Sequence, residues 1–191
     1  MISETGGKTL KSPGDVLVLM KAVILLAMHG APPRDFPKEK LVEFFGLHFR
    51  LEAMEGPGRA PMEKRLRELD RELRGWPRTA QNDPFFAASM ELARLLAQES
   101  SKEVVVGFNE FCRPDLDEAF AKAVASGAEH IIVVTPMMTP GGEHAEEDIP
   151  AAIRRAGGRW PDVRIEYIWP FDQAEVAGFL ARQIERADPE G

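Results

Sequence analysis

Pro136-Met137-Met138-Thr139-Pro140-Gly141-Gly142-Glu143-His144-Ala145-Glu146-Glu147-Asp148-Ile149-Pro150 follows the apolar run Ile131 to Val134 and precedes a run with helical spacing. A strand therefore empties into a glycine-flexed loop that presents His144 just before or within the first turn of a helix. Open α/β sheets hold their ligands at such strand ends. Gly141 and Gly142 allow backbone geometry closed to other residues, and an imidazole held there can face a cleft rather than a core. A lone Gly-Gly-x-His reads as readily as a solvated loop, but a second histidine stands in the same kind of place. His29 follows the apolar stretch Ala22 to Ala27 in Leu25-Leu26-Ala27-Met28-His29-Gly30. Two strand ends carry one histidine each.

Outward from these ends the chain alternates strand and helix. Val23 to Ala27 is apolar on both faces, the mark of a parallel strand covered by helices on each side. His29-Gly30-Ala31-Pro32-Pro33 turns the chain. From Pro37 the pattern is helical, with Leu41, Phe44, Phe45 and Phe49 forming one apolar face. Gly56-Pro57-Gly58 breaks it, and Pro61 to Leu73 is a charged helix with Leu66, Leu69 and Leu73 on one side. Two helices exceed what a strand-helix-strand unit requires, so residues 31–80 read as an insertion. It leaves directly from His29, which suits a lid or part of a substrate cleft.

Asn82-Asp83-Pro84 starts a crossover helix bearing Phe86, Met90, Ala93 and Ala97 and ending near Glu99. Val104 to Phe108 is the second strand, and Asp115 caps a helix from Leu116 to Ala125 that Gly127 closes. Ile131 to Thr135 is the third strand. The helix after the quoted loop runs through Ala156 to a stop at Gly157-Gly158, and Pro150 inside it demands a kink or a restart. Val163 to Ile168 and a helix from Gln173 to Ala187 complete the pattern. Such alternation demands right-handed crossovers and a parallel sheet. The expected fold is three-layer α/β, a four-stranded parallel sheet with a helical insertion after strand 1.

With 191 residues, 44% hydrophobic and 29% charged, the chain suits one globular domain over residues 16–191. Residues 1–15 read as a flexible leader, and Val16 to Leu19 as either helical or the lead into the first strand. No apolar stretch approaches the roughly 20 residues of a membrane helix, and the start lacks a signal-peptide core, which places the protein in the cytoplasm with no membrane association. The single cysteine, Cys112, cannot form an internal disulfide and reads as a small core or loop residue. A net charge of −7 argues against nucleic acid as a partner. Residues 31–80 nevertheless carry a net +2 and the remainder −9. A basic segment near His29 suits an acidic small molecule, as it suits a solvated helical face.

Glu110 ends the second strand in Phe108-Asn109-Glu110, so His29, Glu110 and His144 occupy three successive strand ends. In a parallel sheet those ends lie along one edge. Two imidazoles and a carboxylate suit a divalent first-row metal such as iron, cobalt, nickel or zinc, with coordination positions left open. His48, inside an apolar-striped helix, and His130, ahead of a strand, read as structural. Met28, Met137 and Met138 flank the site histidines as pocket lining or core filler.

Three blocks of this sequence resemble one known family. Gly141-Gly142-Glu143-His144 with Glu147-Asp148-Ile149-Pro150, the strand ending in His29-Gly30, and Phe108-Asn109-Glu110 followed by Pro114 and Leu116 are similar to the short cobaltochelatase (CbiX) and sirohydrochlorin ferrochelatase (SirB) type of class II chelatase. The resemblance covers residues 21–30 and about 82–187. It implies insertion of Co²⁺, Fe²⁺ or Ni²⁺ into a tetrapyrrole such as sirohydrochlorin, with no ATP, no organic cofactor, and the metal as substrate. It maps the family's two histidines onto His29 and His144 and its glutamate onto Glu110, as catalytic groups and metal ligands. Which imidazole is base and which is ligand stays open at this level. The half-sized unit implies a homodimer, or alternatively a monomer whose insertion supplies the second wall of the cleft. Ala31-Pro32-Pro33 departs from the family's usual serine after His-Gly, and the insertion is not typical of its small members. That turn looks somewhat like the opening of porphyrin ferrochelatases, which keeps open a porphyrin substrate, as well as a non-catalytic carrier of metal or tetrapyrrole. Arg34, Arg50, Arg59 and Lys64 are available for substrate carboxylates.

Overall fold

In the computed structural model the described residues are 20–56 and 58–187; the expected leader 1–15, the stretch 16–19 and Pro57 lie outside them. Strand β1, Ala22–Met28, is the centre of the molecule, with every residue after Ala22 buried. It pairs in parallel with β2, Glu103–Phe108, on one side and with β3, His130–Val134, on the other. Strand β4, Arg164–Tyr167, extends the parallel sheet beyond β3, giving the order β2-β1-β3-β4. The register sets Met28 against Phe108 and Leu26 against Val134. The chain segments after β1, β2 and β3 therefore leave the sheet along one edge.

Because successive strand residues point to opposite faces, the uniformly apolar strands must be covered twice. Val23, Leu25, Ala27, Val105, Ile131 and Val133 pack on one face against α4, Leu116–Ala125, and α5, Ile149–Arg159. Leu26, Met28, Val106 and Phe108 pack on the other against α3, Pro84–Ser100. This is the three-layer α/β arrangement the sequence pattern predicts. Helices α1, Lys38–Glu52, and α2, Arg59–Arg74, stand between β1 and α3 and pack on each other. Helix α6, Gln173–Ala187, closes the described chain and buries none of its residues.

Local chemistry explains most boundaries. Asp83 caps α3 by accepting from Phe86 N, with Pro84 in the first turn. Asp115 and Glu118 form a reciprocal capping box on α4, and Gly127, at φ 86°, closes it. Two expectations need correction. Helix α5 does not stop at Gly157-Gly158 but runs through both to Arg159. Trp160, packed against the core, still donates its backbone N–H to Ala156 O, and the helix ends there because Trp160 leaves helical geometry at φ −132°, ψ 72°; packing thus outweighs a glycine cost of about 1 kcal/mol each. The apolar face of α1 is also narrower than its spacing predicts. Phe44 and Leu51 are buried, but Phe49 is 66% exposed, on a helix whose main packing partner among the described elements is α2.

Candidate metal centre

Two neighbouring strands send their chains to opposite faces of the sheet: β1 leads round to α3 and β3 leads to α5. The crevice between their ends is the topological switch point where such sheets bind ligands. His29 stands one residue beyond β1, and His144 opens a π-helical turn, His144–Asp148, beyond β3. Their rings meet edge to face with centroids 4.4 Å apart. Glu110, two residues beyond β2, completes the group. Its Oε1 lies 3.2 Å from His29 Nδ1 and 3.6 Å from His144 Nε2.

One donor atom from each of these three residues lies within 4.8 Å of the others. Donors on a tetrahedral ion at about 2.1 Å sit roughly 3.4 Å apart, so small side-chain rotations would close the three around one metal. All three side chains are partly exposed, which leaves the remaining positions open to solvent or substrate.

The sequence reading missed the groups that hold this cluster. Asp148 Oδ2 lies 2.5 Å from His144 Nδ1. With the carboxylate accepting, the ring proton sits on Nδ1 and the Nε2 lone pair points toward Glu110. The i,i+4 spacing of His144 and Asp148 is the signal that could have found this pair. Gly142 O accepts from Ala145 N and Glu146 N, and Gly141, at φ 93°, donates to Glu146 Oε1. Tyr167 on β4 donates its hydroxyl to Ala145 O. Burial pushes that phenol up to about 12, so it remains a donor throughout the physiological range.

Gly30 explains the His-Gly pair. A Cβ there would stand 1.7 Å from the Glu110 carbonyl oxygen. Gly30→Ala should therefore force the Glu110 loop off the end of β1. We expect a stability loss of at least the ~1–3 kcal/mol typical of overpacking, read by thermal denaturation. A variant with wild-type melting would contradict this.

The other candidates divide as follows. His48 is exposed on α1, its ring parallel to Phe44, with Nε2 3.3 Å from Glu52. His130 Nε2 lies 3.2 Å from Glu166 across β3 and β4, an ion contact without hydrogen-bond geometry. Neither joins the cluster. Met28 is core on the α3 side of the sheet, and Met137 packs against the core on the α4–α5 side. Arg59 ties α1 to α2 through Leu51 O, Met54 O and Glu63, so it is not free for a substrate carboxylate. Cys112 is buried, and burial pushes its thiol above its ordinary range, away from thiolate reactivity.

Fold and side chains together define a parallel α/β unit with an imidazole-carboxylate cluster at its carboxyl edge. The chain belongs to the CbiX family, whose model matches residues 80–187, a span that contains Glu110 and His144 and begins beyond α1 and α2. Among relatives, a sirohydrochlorin cobaltochelatase of Priestia megaterium is 37% identical over 70 residues, covering 37% of this chain and 22% of that protein. A sirohydrochlorin cobaltochelatase of Methanothermobacter thermautotrophicus is 41% identical over 59 residues, 31% of this chain and 41% of that protein. The match thus spans less than half the length of these relatives. The structure of a cobalamin (vitamin B12) biosynthesis CbiX protein from Marinobacter aquaeolei VT8 shares the fold, with a TM-score of 0.51 at 17% identity. It covers 88% of this chain and 98% of that one.

Proposed function

We propose that this protein is an ATP-independent tetrapyrrole chelatase that inserts Co²⁺, Fe²⁺ or Ni²⁺ into sirohydrochlorin or a closely related macrocycle. The observation that carries this reading is the cluster of His29, Glu110 and His144 at one open strand edge. Family membership and the sirohydrochlorin chelatases among its relatives support it. No organic cofactor is required, since the metal is itself a substrate.

Insertion replaces two pyrrole N–H protons by one M²⁺ and releases two H⁺. The cluster offers both services this requires. A neutral imidazole and Glu110 hold the incoming ion as its water is shed, the other imidazole takes one departing proton, and the second proton leaves to solvent water through the open side of the cluster. The two roles belong to a coupled group, so they need not divide cleanly between the rings. Asp148 acts as a positioning residue that keeps the Nε2 lone pair of His144 available.

A spectrophotometric assay tests the reading. Sirohydrochlorin and a dicarboxylate porphyrin are each supplied with Co²⁺, Fe²⁺ or Ni²⁺ in the absence of ATP. Catalytic appearance of a metallated spectrum is expected; cobalt binding without turnover on any macrocycle would make the protein a carrier instead. Asp148→Asn should lower Co²⁺ affinity about 10–100-fold, the usual cost of losing a group that orients a ligand. Calorimetric titration without tetrapyrrole reads this directly, and an unchanged affinity would remove Asp148 from the site.

The working form is a cytoplasmic homodimer in which a second copy supplies the other wall of the cleft. The apolar surface of α6, with Phe179, Leu180 and Ile184 exposed, supports pairing. Light scattering that returns a monomer would overturn this part and leave the second wall to α1 and α2.

A further inference from the structure

A cavity of about 330 Å³ opens between α1 and α2, walled by Phe44, Phe45, His48, Leu66 and Phe111, with Glu110 of the metal cluster among its lining residues. It is predominantly apolar, and its aromatic side chains touch one another. Phe111 meets Phe44 and Phe45 edge to face at 6.0 and 5.9 Å. The Phe111 backbone stands at φ 57°, a costly conformation for a bulky residue. Arg78 fixes it by donating to the Phe111 carbonyl. A strained turn thus places an aromatic ring beside the carboxylate that faces the metal site.

Charge surrounds this wall unevenly. Arg67 lines the cavity and two adjoining hollows of about 320 and 350 Å³. Among the described residues its ion contact is a long one, 3.8 Å to Glu63. Arg71 lines one of those hollows and has no ion pair among the described residues. Two neighbouring acids are occupied, Asp70 by Arg74 and Glu63 by Arg59. An apolar aromatic wall flanked by available guanidinium groups fits a flat, apolar-faced ligand with acidic side chains.

We propose that the α1–α2 cavity is a macrocycle subsite: it seats one edge of the tetrapyrrole against Phe44, Phe45 and Phe111 while Arg67 pairs with a peripheral carboxylate. The inference rests on the chelatase reading and deepens it. It gives residues 31–80 a task, holding the substrate's rim so that its central nitrogens reach the His29–His144 cluster. Arg67 is then a specificity residue, favouring macrocycles with more carboxylates, and the cavity is too small to enclose the whole ring.

The test uses the full chain and two variants, Arg67→Glu and Phe45→Ser, with Co²⁺ titration without tetrapyrrole as a check on the metal site. Arg67 is exposed, so its replacement leaves folding intact; Phe45→Ser is interpreted alongside its melting curve. In insertion assays with sirohydrochlorin both variants should raise KM at least tenfold, with kcat and Co²⁺ affinity within about twofold of wild type. Arg67→Glu should affect a dicarboxylate porphyrin less than sirohydrochlorin. Wild-type turnover with KM unchanged in Arg67→Glu overturns the subsite and leaves the chelatase reading standing. If the wild type turns over no macrocycle, the chelatase reading fails, and fluorescence titration with metal-free sirohydrochlorin decides the subsite alone. Weakened binding in Arg67→Glu upholds it; equal binding, or none by the wild type, overturns it.

Discussion

His29→Ala and His144→Ala should each lower kcat/KM for metal insertion by about 10²–10⁴-fold, the range expected when a positioned proton-transfer group is lost. The double variant should be little worse than either single one, because groups that act as a unit are non-additive when removed. The geometry supports this expectation: the Glu110 oxygen faces both rings, at 3.2 and 3.6 Å, and the rings stand edge to face. In the proposed mechanism one ring helps to hold the ion and the other accepts a proton, so removing either one takes away a step that the remaining ring does not supply. Folding should be preserved, since both side chains are partly exposed and neither belongs to the core clusters. Wild-type melting together with lost activity and lost Co²⁺ binding is therefore the expected result. Near-normal insertion by both single variants would end the mechanism.

How far these features can be read from the sequence depends on the range of the interactions that create them. The strands are legible because β1 to β3 are apolar on both faces, and α3 and α4 because Asp83 and Asp115 cap them locally. That His29, Glu110 and His144 stand at one edge follows from topology: parallel strands send their ends to one side. The extent of α5 is not legible, since Trp160 holds its end through packing that no local signal reports. Nor is the orientation of His144, which depends on a π-helical turn held by Tyr167 from a different strand. The aromatic stripe of α1 announces a helix but not its neighbour. Phe111, which faces that stripe, is placed by a backbone conformation that its residue type disfavours. Arg78 is the least legible of all, one arginine among many in a charged segment.

Replacing Arg78 with alanine should cost about 3–5 kcal/mol, the range for leaving a buried charge without its partner. At the usual few degrees per kcal/mol for a chain of this size, that lowers the melting temperature by roughly 10 °C. The Arg78 side chain is 6% exposed and its partner Asp83 1% exposed, with Nη1 2.5 Å from Asp83 Oδ2. The same guanidinium donates to Ala31 O, Leu73 O and Phe111 O. It therefore joins the segment after His29, the end of α2, the turn after Glu110 and the cap of α3. Arg78→Lys keeps a charge for Asp83 but loses the planar fork that reaches three carbonyls, so it should recover only part of the loss. Arg78→Met combined with Asp83→Asn should be less destabilising than Arg78→Met alone. The double variant buries no unpaired charge, and Asn keeps an oxygen for the α3 cap. Two of the bridged segments carry His29 and Glu110. Arg78→Ala should therefore also weaken Co²⁺ binding at a temperature where the variant is still folded, whereas a bond that merely stabilised α3 would leave that affinity unchanged. Denaturant melts within 1 kcal/mol of wild type would show that the four segments hold together without it.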